Sequence, residues 1–235
     1  ITIIIYIYIW KIHEKKISRN HTENLLKAIG ADIKIKKYGE KNLISIRGQK
    51  KLLGFNLEIP GDQSSAAPFI FLTLLTPESN LIIKNVNYNP TRTGFITILK
   101  KMNANIKVKN LKKISGELVG DIVVKSSILK PINCPKKLVP YAIDEFPLLF
   151  AIASVIKGIS KFSGIEELRN KESDRIKSMQ EGLDRIGIKT KAGLNSLKVY
   201  GNPNIKIKGT LKIFSKKDHR IAMAFFCLSQ VLQGR

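Results

Sequence analysis

The stretch NKESDRIKSMQEGLDRIGIKTK, residues 170–191, carries the pattern that decides the fold. Apolar residues at helical spacing predict an amphipathic helix that begins near Asn170, a residue type that often caps helices. Those apolar residues are Ile176, Met179, Leu183 and Ile186. Gly187 predicts the end of the helix, and the alternation of Ile, Thr and Lys after it predicts a strand.

The same plan occurs twice more, in SRNHTENLLKAIGADIKIKK (18–37) and NPTRTGFITILKKMNANIKVKN (89–110). Each copy has an arginine near the predicted helix start, then a helix, a stop, a strand and a second strand. The arginines are Arg19, Arg92 and Arg175, and the stops are Gly30, Asn103 and Gly187. Gly and Asn tolerate the left-handed conformation that closes a helix, so an Asn in the middle copy supports the alignment.

A second shared element is an aspartate placed before a helix that is apolar on nearly every face. The three copies are PGDQSSAAPFIFLTLL, AIDEFPLLFAIASVIKG and KKDHRIAMAFFCLSQVLQG, with Asp62, Asp144 and Asp218 as predicted N-caps. A helix without a polar face is surrounded by other protein. Several such helices predict an α/β fold whose core consists of helices, with the sheets packed outside.

The repeating unit is therefore an aspartate, a buried helix, a strand, an amphipathic helix and two strands, about 75 to 85 residues in all. Two units are complete, the one that begins at Asp218 contains only its first helix, and only the back half of a unit precedes Asp62. We therefore expect the chain to be a piece of a longer repeat protein, truncated at both ends.

The composition limits the classes of function. A net charge of +23 over 235 residues raises nucleic acid as a partner, but the lysines are scattered and no basic stripe with interleaved aromatic residues occurs. Anionic small substrates fit better. Cys134 and Cys227 have no metal-site spacing, which favours a reduced, cytoplasmic compartment.

The opening ITIIIYIYIWK is apolar but too short to cross a bilayer, and it lacks the marks of a signal peptide. It predicts either a buried strand or a misread start of the chain. We expect no membrane segment.

The charges around residues 171–175 have two interpretations. Lys171 and Arg175 are four residues apart and would share a face at a helix N-terminus, where cations are disfavoured unless an anion lies between them. Alternatively, Glu172 and Asp174 simply neutralise the two cations on a solvated surface. The same choice holds for Arg19, Arg220, Asp144 and His219, but repetition favours one cleft that contains all these helix starts. Such a cleft would suit a doubly anionic substrate and proton transfer.

Five motifs in order, PGDQSSAAPF, NPTRTG, DEFPLL, NKESDR and KDHRIAM, resemble the second half of the 5-enolpyruvylshikimate-3-phosphate synthase family, and SRNHTENLL matches one bacterial branch. The resemblance runs from Ser18 to the C-terminus, and residues 1–17 do not share it. It implies inside-out α/β barrel domains built from βαβαββ units, with residues 1–58 as the last unit of a first domain and 59–235 as most of a second.

The resemblance also implies transfer of the enolpyruvyl group of phosphoenolpyruvate to the 5-hydroxyl of shikimate 3-phosphate, with release of phosphate. It implies a monomer with no metal or organic cofactor. Asp144 and Glu172 are then the catalytic carboxylates, Asp144 as the proton acceptor from the hydroxyl and Glu172 as the donor to the methylene carbon. Shikimate 3-phosphate contacts fall on Ser18, Arg19, Asp144 and Lys171, and phosphoenolpyruvate contacts on Arg175 and Arg220. Asp62, Asp174 and Asp218 are interpreted as caps or supporting partners.

Several family motifs that precede these, and a late lysine, do not occur in residues 1–235, so we expect this chain by itself to be inactive. Two alternatives are a UDP-N-acetylglucosamine enolpyruvyl transferase and a basic domain that binds nucleic acid without catalysis.

Overall fold

The computed structural model describes residues 8–15, 17–39, 41–48, 50–54, 56–207 and 209–233. Nine strands and six α-helices follow one another through these residues. They are β1 (Ile9–Glu14), α1 (His21–Ala28), β2 (Asp32–Tyr38), β3 (Lys41–Arg47), α2 (Gln63–Leu75), β4 (Asn80–Asn87), α3 (Gly94–Lys101), β5 (Asn105–Ile114), β6 (Glu117–Lys125), α4 (Phe146–Ser154), β7 (Gly158–Ser163), α5 (Arg175–Ile186), β8 (Thr190–Gly193), β9 (Ser196–Gly201) and α6 (His219–Gln233). Short 3₁₀ helices occur at Lys136–Leu138, Ile143–Glu145 and Glu166–Asn170.

The strands form three antiparallel sheets with one repeated topology. Their orders are β1-β3-β2, β4-β6-β5 and β7-β9-β8, so the last strand of each sheet in chain order always lies in the middle. Isolated parallel bridges join Gly61 to Val86 and Asn133 to Lys161, on either side of α2 and α4. Each bridge supplies the short first strand of a βαβαββ unit, which confirms the predicted unit.

The three apolar helices α2, α4 and α6 contact one another and form the centre of the core. Every residue of α4 is buried. Phe162 of the third sheet packs edge to face against Phe146 and Phe150 of α4, with ring centroids 5.9 and 5.0 Å apart. The predicted arrangement of a helical core with sheets outside is confirmed.

The predicted helix stops are also confirmed. Gly30, Asn103 and Gly187 have φ angles of 87°, 73° and 94°, in the left-handed region. Chain reversal directly after α1, α3 and α5 requires this conformation, and only Gly and Asn adopt it at low cost.

The predicted start of α5 at Asn170 is wrong. Asn170 ends a 3₁₀ helix, and α5 begins at Arg175 with Asp174 as its N-cap. The Asp174 carboxylate accepts the backbone N–H of Lys177 at 3.0 Å, so it satisfies a free donor of the first turn. Lys171 therefore precedes α5, and the prediction that it shares a helix face with Arg175 is also wrong.

Two of the three predicted aspartate caps are confirmed. Asp62 accepts the N–H of Ser65 at the start of α2, and Asp218 accepts the N–H of Arg220 in the first turn of α6. Asp144 lies in the 3₁₀ helix before α4, and Glu145 occupies the N-cap position without a side-chain bond to the helix. The Glu145 carboxylate is therefore free for other partners.

The predicted buried strand at the start of the chain is wrong for its described part. Residues 1–7 lie outside the described residues, and β1 begins at Ile9. Among the described strands, β1 pairs with β3 alone and lies at the edge of its sheet, and its Trp10 is 67% exposed.

Candidate functional site

Four residues predicted to contact one substrate lie around the same cavity. Ser18, Arg19, Asp144 and Lys171 border a cleft of about 290 Å³, together with Ile17, Pro140, Ile143 and Glu167. The residues come from three distant parts of the chain, namely the segment before α1, the 3₁₀ helix before α4 and the segment before α5. The structure thus brings together part of the predicted set, whereas Glu172, Arg175, His219 and Arg220 do not border this cleft.

Asp144 is the carboxylate at the centre of this cleft. Its Oδ2 accepts a hydrogen bond from Arg19, and its Oδ1 lies 3.5 Å from Nη1 of Arg175. Burial by itself would raise the pKa of Asp144, but the hydrogen bond and charge of Arg19, with the charges of Arg220 and Lys171, lower it below its ordinary value. Asp144 is therefore ionised at neutral pH, the state that a proton acceptor requires.

Arg175 joins three carboxylates although its side chain is only 2% exposed. Its Nε donates to Oδ2 of Asp218 at 2.9 Å, and Nη2 donates to Glu172. Nη1 is buried and has no hydrogen-bond partner among the described residues. An unpaired buried donor next to Asp144 is a position where an acceptor oxygen of a ligand would be stabilised.

Glu172 is half exposed and lies beside the buried arginine. One carboxylate oxygen accepts from Arg175, and the other lies 3.9 Å from Nδ1 of His219. This position, accessible to solvent yet held at one end, suits a group that carries a proton to a ligand.

Lys171 and Arg220 are the two remaining predicted cations. Nζ of Lys171 is 2.6 Å from Oε1 of Glu167, and the Arg220 guanidinium lies 4.0 Å from the buried carboxylate of Glu145. Arg220 is 18% exposed at its side chain. All four predicted cations are thus partly or wholly balanced by carboxylates, and an anionic ligand would compete for them.

A buried network beside Asp144 was missed by the sequence reasoning. Glu145 is 3% exposed and accepts from the hydroxyl of Ser64, which in turn accepts from Nη2 of Arg92 at 2.6 Å. Arg92 also pairs with Asp62 at 3.2 Å. The signal in the sequence was the repeated arginine at position 92, which was aligned with Arg19 and Arg175 but given no role.

A second cluster that the sequence did not reveal connects α1 to β6 of the second sheet. The carboxylate of Glu117 in β6 accepts hydrogen bonds from Asn24, Asn87 and Asn89 and contacts His21 at 3.0 Å. These bonds lower the pKa of Glu117, although burial opposes them. The cluster fixes α1 against β6 and so holds Ser18 and Arg19 near Asp144.

The described residues contain no group of three or more His, Cys, Asp or Glu side chains that could hold a metal ion. Burial raises the pKa of both cysteine thiols, Cys134 and Cys227, to about 11, so neither is a nucleophile at neutral pH. No helix in the described ranges has the length and apolar character needed to span a bilayer.

The units and their buried helices define the enolpyruvyl transferase fold. The enolpyruvyl transferase NikO from Streptomyces tendae superposes with a TM-score of 0.65 at 16% identity, over 95% of this chain and 49% of that one, and supports the fold alone. EPSP synthase from Acinetobacter baumannii superposes with a TM-score of 0.85 at 40% identity, over 94% of this chain and 50% of that one.

The chain belongs to the family of EPSP synthase (3-phosphoshikimate 1-carboxyvinyltransferase), whose profile matches residues 9–235. The 3-phosphoshikimate 1-carboxyvinyltransferase of Carboxydothermus hydrogenoformans is 46% identical over 221 residues, which are 94% of this chain and 50% of that protein. The enzyme of the same name from Endomicrobium trichonymphae is 42% identical over 217 residues, 92% of this chain and 49% of that protein. The chain spans about half the length of the curated relatives it matches. Because the match begins at residue 9, the expectation that none of residues 1–17 resembles the family is wrong for residues 9–17.

Proposed function

We propose that this chain supplies the second half of an enolpyruvyl transferase site that converts phosphoenolpyruvate and shikimate 3-phosphate to the enolpyruvyl ether and phosphate. The observation that carries the proposal is the cleft that gathers Ser18, Arg19, Asp144 and Lys171, beside the buried guanidinium of Arg175. In this assignment, residues 1–58 close a first domain and 59–235 form most of a second. The protein acts as a cytoplasmic monomer on two anionic substrates of aromatic amino-acid biosynthesis, without cofactor.

The first chemical step is addition. The oxygen of the 5-hydroxyl attacks C2 of phosphoenolpyruvate while Asp144 takes the proton of that hydroxyl. Glu172 gives a proton to C3, which becomes a methyl group. Asp144 suits the first role because Arg19 keeps it ionised, and Glu172 suits the second because it is accessible. The reverse assignment of the two carboxylates remains an alternative within the proposal.

The second step is elimination. A base removes a proton from the new methyl group, the C2–C3 double bond reforms, and the bond from C2 to the phosphate oxygen breaks. Phosphate leaves with the bonding electron pair, and Arg175 and Arg220 balance its charge. Arg220 also offers paired donors for the carboxylate of phosphoenolpyruvate. Arg175 offers Nη1, since its Nε and Nη2 are bound to Asp218 and Glu172.

Binding of shikimate 3-phosphate to residues 1–235, measured by isothermal titration calorimetry, tests the site. We expect binding that Arg19→Met or Lys171→Met weakens at least about tenfold, since each removes a charge-assisted hydrogen bond. Lys198→Met, an exposed lysine of β9, is the matched control and should leave affinity unchanged. Equal binding by all four proteins would refute the assignment of the cleft.

Titrations of the same protein with other ligands separate the alternative functions. Tight binding of UDP-N-acetylglucosamine in place of shikimate 3-phosphate would favour the sister transferase. Salt-dependent binding of random duplex DNA, with no protection of the protein by shikimate 3-phosphate, would favour a nucleic-acid-binding domain. Because the chain spans half the length of its relatives, we expect no phosphate release from residues 1–235 by themselves, and robust turnover would contradict that expectation.

A further inference from the structure

Glu145 follows Asp144 in the chain, but its side chain faces the protein interior. It is 3% exposed, and it lies where three helix starts meet: Ser64 in the first turn of α2, Arg92 just ahead of α3, and Arg220 in the first turn of α6. A buried carboxylate is costly unless charged or polar partners surround it. The buried Glu145 carboxylate therefore needs these three residues as its polar and charged partners.

One oxygen of Glu145 accounts for these contacts. Oε1 accepts from Oγ of Ser64 at 2.5 Å and lies 4.0 Å from Nη1 of Arg220. Oγ of Ser64 accepts from Nη2 of Arg92 at 2.6 Å, so the hydrogen bonds run from Arg92 through Ser64 to Glu145. The Glu145 carboxylate thus lies between two arginines.

Arg220 has a single carboxylate within ion-pair distance among the described residues, and it is that of Glu145. A guanidinium has donors on Nε and both Nη atoms in one plane. Nη1 lies 4.0 Å from Oε1 of Glu145, an ion-pair distance that is too long for a hydrogen bond. The remaining donors of Arg220 make no side-chain hydrogen bond to the described residues, so they are available for a planar anion.

We propose that Glu145 is a positioning residue for Arg220: its buried carboxylate holds the guanidinium in the orientation that binds the anionic ligand. The identity of that ligand, phosphoenolpyruvate, rests on the proposed function, whereas the ion pair itself does not.

The protonation of Glu145 supports this coupling. Burial raises the pKa of its carboxyl, and so does the negative charge of Asp144, whereas the Ser64 hydrogen bond and the charges of Arg92 and Arg220 oppose the rise. The net result is a raised pKa, and loss of either arginine would raise it further, because each positive charge favours the ionised carboxylate.

The ligand-free chain provides the first test, because Nε–H resonances of arginine in ¹⁵N NMR report the order of each guanidinium. We expect Arg220 to be ordered in the wild type and in Glu145→Gln, whose amide oxygen keeps a partial negative charge at this position, but mobile in Glu145→Leu. Glu181→Leu, which removes a half-exposed glutamate of α5, is the matched control. An Arg220 signal that keeps its position and order in Glu145→Leu would overturn the proposal.

If Glu145→Leu fails to fold, the pair is tested from its other partner. In Arg220→Met, the ¹³C carboxyl signal of Glu145 should titrate at higher pH than in the wild type, because a positive charge has been removed. An unchanged titration would show that the two residues are not coupled and would overturn the proposal.

Affinity for phosphoenolpyruvate then tests the consequence for the site. Glu145→Leu should weaken binding about tenfold, Glu145→Gln less than about threefold, and Glu145→Leu should add nothing in an Arg220→Met background. Equal weakening in both backgrounds would mean that Glu145 does not act through Arg220. If the wild type binds no phosphoenolpyruvate, the proposed function fails, and the ligand-free NMR result still decides the role of Glu145.

Discussion

Replacement of Asp218 by asparagine should destabilise the chain by about 3–5 kcal/mol, the usual cost of removing one partner of a buried ion pair. Asp218 is 0% exposed, and its carboxylate accepts from Nε and Nη2 of Arg175 at 2.9 and 3.4 Å, from the hydroxyl of Ser173 at 3.0 Å, and from the N–H of Arg220 at 2.9 Å. Every one of these partners is a donor, so both carboxylate oxygens are needed as acceptors.

An asparagine at this position has one acceptor oxygen and one NH₂ group. If the oxygen faces Ser173 and Nε of Arg175, then the NH₂ group faces the N–H of Arg220 and Nη2 of Arg175, and the bonds there are lost. A hydrogen bond to a charged group contributes about 1.5–3 kcal/mol, and a buried donor left unpaired costs a similar amount. Either orientation of the amide therefore gives a loss in the range stated above.

Urea unfolding monitored by circular dichroism measures this loss, provided that the m-value is unchanged. Asp62→Asn is the matched control, because it also replaces a capping aspartate that pairs with an arginine, but at a side chain that is 51% exposed. Asparagine caps as well as aspartate, and an exposed ion pair contributes less than about 1 kcal/mol, so the control should change little. A loss below about 1 kcal/mol in Asp218→Asn would refute the reasoning.

Three further predictions concern packing, acid sensitivity and thiol reactivity. Gly182→Ala, in the interior of α5, should cost about 1–3 kcal/mol in urea unfolding in place of the usual gain, because a Cβ atom there would lie 2.1 Å from Cζ of Phe225; a gain in stability would contradict the close approach of α5 to α6. The pKa of Asp144 in the folded chain is lowered from 3.8, so its contribution to stability is present above pH 3.8 and is lost as the pH falls through the folded-state pKa. Asp144→Asn should therefore flatten this part of the acid unfolding curve. An identical curve would show that Asp144 does not contribute to the acid sensitivity. With thiol pKa values of about 11, Cys134 and Cys227 should react with iodoacetamide at pH 8 orders of magnitude more slowly in the native chain than in urea, which mass spectrometry can follow; fast native labelling would show that they are accessible.

The repeated pattern allowed most of the fold to be predicted from the sequence. Three aligned stops, at Gly30, Asn103 and Gly187, predicted the ends of α1, α3 and α5, because the left-handed conformation is a local property of the residue at that position. The apolar composition of α4 likewise predicted its complete burial. These features depend on near neighbours in the chain, and for that reason the sequence pattern contains them.

The start of α5 was harder to predict, because two residues could cap it. Asn170 and Asp174 are both good caps, and the apolar spacing that follows permits a helix from either. Arg169 decides between them, since its side chain binds the carbonyls of Gly193 and Leu194 and holds the segment against the β8–β9 turn. That contact spans more than twenty residues of sequence, so the local pattern could not reveal it.

The candidate site was predictable to the extent that its residues belong to motifs that resemble the family. Ser18, Arg19, Asp144 and Lys171 were assigned from those motifs, and they border one cleft. Glu145 was not assigned, because nothing in DEFPLL distinguishes an acid that faces the cleft from one that faces the core. The difference arises from the 3₁₀ helix at Ile143–Glu145, which turns the two neighbouring side chains in different directions.

The repeat also explains how the charges of the site are balanced. Alignment of the units places aspartate over aspartate and arginine over arginine, but in the structure each aspartate pairs with arginines of its own or of another unit. Asp144 contacts Arg19 from the partial unit ahead of Asp62 and Arg175 from its own unit, and Arg175 also pairs with Asp218 at the start of the next unit. The result is a line of alternating charges that crosses three units.

This line of ion pairs joins the units, and in the proposed function it also borders the position of the anion. Each arginine is held by a carboxylate, so little order is lost when a ligand arrives, but the ligand must compete with that carboxylate. Arg175 is the arginine of this line with a buried nitrogen that makes no hydrogen bond to the described residues. Its Nη1 lies beside Asp144, while Nε and Nη2 are bound to Asp218 and Glu172. In the proposed function, Nη1 is therefore the atom of Arg175 at which a ligand oxygen would break no existing hydrogen bond, although that oxygen would compete with Asp144, whose Oδ1 lies 3.5 Å away.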